Sequence, residues 1–117
     1  MTNLEYESLN TTISYIDNVE RGIDEIVEDL VSEGGVKAKQ MLPDLVEGLQ
    51  WISSILKATT QLHSINYEEL NDVYKDLLEA FSNDDTILIS DLLEYEIKEK
   101  LLNWQEILIE VVDRNEN

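Results

Sequence analysis

Cysteine is absent from this chain, so no disulfide, thiolate metal site or cysteine nucleophile can belong to its chemistry. One proline and four glycines among 117 residues leave few positions that would break a helix. Basic residues are scarce as well: eight Lys and Arg stand against 26 Asp and Glu, for a formal charge of −18. Nucleic acid and anionic lipid both demand clustered cations, and only the small pairs Lys37/Lys39 and Lys98/Lys100 occur. Neither nucleic acid nor membrane is expected as a partner. Long apolar runs are also missing. The least charged stretch, 48–67, is broken by Gln50, Ser53, Ser54, Gln61 and His63, which a membrane-spanning helix would not carry. The opening MTNLEYESLN shows no basic and then apolar leader pattern, so the expected location is cytoplasmic.

What the chain does have is aliphatic periodicity. An apolar share of 43% over this length fits a single domain, 1–117, with a core that needs no staples. The spacing predicts a first helix over about 8–33, with Leu9, Ile13, Ile16, Ile23, Val27 and Leu30 on its stripe. Gly34-Gly35 ends it, and Gly22 within it implies a close helix–helix contact. A second helix is expected over 42–63, opening near Pro43 with a short helical lead-in from 36. Asn66 and Glu69 read as a capping box for a third helix over 67–82. Asp84 or Asp85 caps a fourth over 86–113, where Ile89, Leu93, Ile97, Leu101, Trp104, Leu108 and Val111 recur at intervals of four or three. The last residues, 115–117, are expected to fray. Short connections make consecutive helices antiparallel, so the expected fold class is all-α, an up-down four-helix bundle.

The charge is unevenly shared along these segments. Residues 1–33 carry nine acidic and one basic residue, 66–83 five and one, and 84–117 ten and three. Residues 34–65 carry only two acidic against three basic, and from Gly48 to Tyr67 the one charged residue is Lys57. A charge-poor helix bearing Trp51 is either the most enclosed of the four or a docking surface, because interface cores are depleted in charge and enriched in aromatics. The candidate interaction surface is Leu49, Trp51, Ile52, Ile55 and Leu56, offered to a protein partner or to a second copy of the chain.

Catalytic patterns are thin. His63 is the lone histidine, which rules out a paired Glu-x-x-His di-iron centre; no Gly-x-Ser-x-Gly elbow, P-loop or calcium loop accompanies it. His63 is expected to close the second helix against its C-terminal dipole. The alternative is a magnesium-dependent nucleotide pyrophosphohydrolase-like helical enzyme, in which Glu25/Glu28 and Glu69/Asp72 would hold the ion through carboxylate oxygens. Pairs spaced three apart are common by chance in so acidic a chain, and a solvated helix face explains them equally. Asp91, Glu94, Tyr95 and Glu96 form another acidic group, with Tyr95 expected at the core boundary. No catalytic residue, cofactor, metal or small-molecule ligand is assigned.

The wording Leu42-Pro43-Asp44-Leu45-Val46-Glu47-Gly48-Leu49-Gln50-Trp51, and Ile89-Ser90-Asp91-Leu92-Leu93-Glu94-Tyr95-Glu96-Ile97 followed by Trp104, resembles small acidic uncharacterised all-helical proteins of Gram-positive bacteria. That resemblance implies a helical fold and transfers no functional residue. A looser similarity in size and shape, to bacterial flagellar export chaperones, implies an adaptor or chaperone-like, non-enzymatic role in protein–protein interaction.

Overall fold

A computed structural model describes residues 1–115. Four helices account for nearly all of them: α1 (Asn3–Ser32), α2 (Val36–Ala58), α3 (Asn71–Ser82) and α4, which runs unbroken over 86–115. No strand occurs among the described residues. The expected helical bundle is the observed one, with ends that differ instructively from the periodicity.

α1 begins five residues before the expected start because Thr2 and Glu5 form a reciprocal capping box, with N–H···O distances of 3.1 and 2.8 Å. Between α1 and α2, Gly34 and Gly35 both take positive φ (82° and 86°), a conformation that costs a side chain strain and glycine little. The turn therefore reverses the chain in three residues. α2 then starts at Val36, not near Leu42: the lead-in and the helix are one element, with Pro43 inside it. The cap comes from outside the helix. Buried Asp29 of α1 accepts the Ala38 N–H at 2.8 Å, placing a carboxylate on the positive end of α2.

The 66–70 stretch also departs from expectation. Asn66 Oδ1 accepts the Glu68 N–H at 3.1 Å, and residues 67–70 form tight turns, so α3 begins at Asn71. Glu69 does not complete a capping box with Asn66; its carboxylate is engaged elsewhere. Asp85 caps α4 by accepting the Leu88 N–H at 3.1 Å. Asn115 belongs to α4 rather than fraying, and the remaining expectation of a frayed end falls on 116–117, outside the described residues.

The core intervals of α4 explain its one irregularity. From Ile89 through Leu93 and Ile97 to Leu101 the buried positions step by four three times in succession. At about 100° per residue, each such step overshoots a full turn by about 40°, which would carry the stripe off the core. Residues Leu92–Ile97 form a π-helical turn. Its wider i→i+5 winding absorbs the overshoot and keeps all four side chains inward.

Cross-helix pairs fix the topology. Glu5–Gln61 and Tyr15–Trp51 match the start of α1 with the end of α2, while Asp29–Ala38 matches the opposite ends. Lys98 reaches Asp24 at 2.7 Å, and Gln105 reaches Asp17 at 2.7 Å, so α1 and α4 are likewise antiparallel. α3 packs on the first half of α4. The result is elongated, 49 × 23 × 19 Å. α1 stands between α2 and α4, whereas α2 packs extensively on α1 alone. The charge-poor helix is thus not the most enclosed one.

Candidate functional site: the groove between α1 and α2

The five residues of the candidate surface do not share one exposure. Leu49, Ile52 and Leu56 are fully buried and belong to the core; Ile55 is half-buried; Trp51 keeps 39% of its surface exposed. The expected apolar surface over 49–56 is therefore corrected to Trp51 and its surroundings. The reason is geometric. Residues 49, 52 and 56 are separated by three and four and face α1, while 51 lies about 100–160° around the helix from them, at the groove's edge.

Beside Trp51 the α1–α2 seam carries two adjoining surface hollows. Trp51 stacks edge-to-face on Tyr15, with ring centroids 5.0 Å apart. Gly48 makes this possible, since a Cβ there would lie 2.5 Å from the Tyr15 hydroxyl. One hollow of ≈ 490 Å³ is bounded by Thr11, Tyr15, Asp44, Glu47, Gly48 and Trp51. A second, of ≈ 180 Å³, shares Tyr15 and Asp44 and continues over Val19, Gly22, Met41 and Leu45. Gly22 thus makes no close contact with another helix, contrary to the sequence expectation: a Cβ there would meet nothing within 4 Å, and the residue lines the second hollow. The floor is apolar and the rim carries two carboxylates, Asp44 and Glu47.

His63 lies past the end of α2, beyond a 3-10 turn at Thr60–Leu62. Its Nδ1 accepts the Ile65 N–H at 3.1 Å, and Nε2 approaches the Leu56 carbonyl at 3.2 Å. This arrangement requires a proton on Nε2 and none on Nδ1. Burial pushes the imidazole's pKa down, consistent with a neutral ring. The second helix, expected to reach 63, ends at Ala58, so His63 does not sit on its last turn; it acts as a hydrogen-bonding clasp back to Leu56 and not as a cation on the dipole.

Glu25/Glu28 and Glu69/Asp72 do not converge. Glu25 pairs with Lys37 at 3.5 Å beside the Gly34-Gly35 turn. Glu69 accepts from Lys100 Nζ at 2.7 Å and from the indole N–H of buried Trp104 at 3.2 Å. The Lys100 bond, reinforced by the indole, holds the Glu69 carboxyl below its usual pKa despite partial burial. Among the described residues no group of three or more His, Cys, Asp or Glu is arranged to hold a metal ion. Tyr95, expected at the core boundary, is instead 61% exposed.

Asp29 and Thr12 were beyond the reach of the apolar pattern. Both are buried, and each is satisfied locally: Asp29 by Ala38, and Thr12 by donating to the Ser8 carbonyl at 2.8 Å. Thr12 completes the buried series Leu9, Thr12, Ile16, Val19, Ile23, Ile26, Leu30, whose strict four-three alternation was the available signal.

Fold and groove together define an all-helical bundle that carries, between α1 and α2, a largely apolar, aromatic-walled and acid-rimmed hollow. The chain belongs to the family of the domain of unknown function DUF8042, whose pattern matches residues 7–107. No curated protein and no solved structure matches it. Among the described residues no helix is long and apolar enough to cross a membrane.

Proposed function

We propose that the protein is a non-enzymatic interaction module of adaptor or chaperone-like type, which binds a segment of another protein in the α1–α2 groove. The observation that carries this reading is Trp51: the helix poorest in charge is not the most enclosed, and it presents an indole to solvent at the edge of an apolar groove. An amphipathic helix would lay apolar side chains over Gly22 and Met41 and against the Tyr15–Trp51 pair. Asp44 and Glu47 on the rim favour a segment flanked by Lys or Arg, through charge selection rather than bulk affinity. A second copy of the chain is a poor fit for that rim, because acid would face acid. A cysteine-free protein with this coat suits a reducing cytoplasm, and that is where we place it. The magnesium reading has no geometric basis in the separated carboxylate pairs.

A photoreactive phenylalanine analogue at position 51, compared with one at exposed Lys57, tests the groove in the producing cell. The expected result is a covalent adduct to one partner from position 51 only, lost on adding a Gly22→Trp change that fills the groove. Equal labelling from both positions, or none from 51 with the helical fold intact, would overturn the proposal.

A further inference from the structure

A second surface lies on the other side of α1. Tyr95, Leu102 and Ile109 are 61%, 40% and 42% exposed and recur at intervals of seven along α4. Seven residues come within about 20° of two full turns, so these side chains form a shallowly winding row, spread somewhat further at its Tyr95 end by the π turn. Tyr95 also borders a ≈ 440 Å³ hollow against Val73 of α3, which widens the row's start. From Tyr95 to Ile109 the row is about 21 Å long, about four turns of a partner helix.

The charges beside the row are mostly acidic. Glu96, Glu99, Glu106, Glu110 and Asp113 are all exposed around it. The neighbouring cations are engaged: Lys98 with Asp24 and Lys100 with Glu69 at 2.7 Å each, and Arg114 with Glu110 at 3.9 Å. An antiparallel second copy centred on Leu102 would set these carboxylates against one another, at a cost for like charges in register. A helix with apolar residues every three or four positions and Lys or Arg on both flanks would meet complementary potential along its length.

We infer that the outer face of α4, centred on Tyr95, Leu102 and Ile109, is a docking surface for a basic amphipathic helix of a partner protein, separate from the α1–α2 groove.

The test uses the full chain and a synthetic peptide of about three heptads, with Leu at the a and d positions and Lys at e and g. A peptide of the same composition in scrambled order, and one with Glu replacing Lys, are the comparisons. Calorimetry gives affinities, and backbone amide NMR shifts map the site. Binding of the patterned peptide alone is expected, with the largest shifts around 95–109 and affinity falling with added salt. Leu102→Ser/Ile109→Ser should weaken it by about tenfold or more, as for loss of interface anchors. Glu99→Lys/Glu106→Lys, which leaves every apolar contact in place, should remove the shifts around 95–109; Trp51→Glu, which disables the α1–α2 groove, should leave those shifts unchanged. Equal binding of the scrambled peptide, shifts centred on α1 or α2, or a peptide-independent dimer that the double serine variant dissolves would each overturn the assignment.

Discussion

Glu69 shows how far a single side chain can stray from its sequence-level role. Three residues after Asn66, it has the spacing of a helix cap, yet its two oxygens are taken by Lys100 and Trp104 of α4. The indole is fully buried and Glu69 accepts its N–H, so the carboxylate ties the α2–α3 connection to the core. Glu69→Ala should cost about 1–3 kcal/mol in urea unfolding, the usual penalty for orphaning a buried donor. Glu69→Gln keeps an acceptor for the indole and should cost less. The pH dependence follows from the depressed carboxyl. Its contribution is complete above the ordinary value of 4.5 and disappears as pH falls through the lower folded value, so the gap between wild type and Glu69→Gln should close in acid. A gap independent of pH would assign the effect to packing alone.

At the scale of an element, the π turn in α4 is the informative irregularity. It behaves as one extra residue in an otherwise regular helix, inserted where the core intervals run four-four-four. Deleting Glu94, an exposed residue within that turn, restores four-three-four spacing and should yield a cooperatively folding protein with an ordinary α-helix there. Deleting Glu106, equally exposed but in regular helix, rotates every later residue by about 100° and takes Leu108, Val111 and Val112 off the core. Thermal melts followed by circular dichroism would compare the two. Equal destabilisation would show that the wide turn does not set the register. Other elements have ends decided by tertiary partners. α2 starts early because Asp29 reaches across to cap it, and α3 starts late because Glu69 is drawn away.

For the whole molecule, the dominant long-range term is the charge of −18. α1 has a formal balance of nine acids to one base up to residue 33 while packing against both α2 and α4, and its Glu20 feels the consequence. One Glu20 oxygen is buried without a partner, and desolvation together with Asp17 raises its pKa. Among the described residues five ion pairs relieve part of this, most of them exposed and individually worth little. Screening should therefore stabilise the fold. The thermal midpoint is expected to rise between about 10 mM and 500 mM sodium chloride, as the Debye length shrinks from about 30 Å to a few ångströms. A level or falling midpoint would mean that the native ion pairs outweigh the repulsion. The same field that burdens the fold would draw basic segments toward both apolar surfaces.

Four amphipathic helices, the aliphatic core and the acidic coat were legible in the chain alone. Each of these follows from local spacing and composition, which the chain carries without reference to its neighbours. Leu49, Leu77, Leu93 and Trp104 are fully buried for that reason. Which apolar side chains were left outside was settled by packing, since exposure depends on which helix stands beside which. Trp51 stays at a groove edge because α2 has one extensive neighbour, and Tyr95 stays outside because α4 already turns its core face to α1 and α3. The polar partners of Asp29, Glu69 and His63 were settled in the same way, by approach across the fold or around a turn that no periodicity encodes.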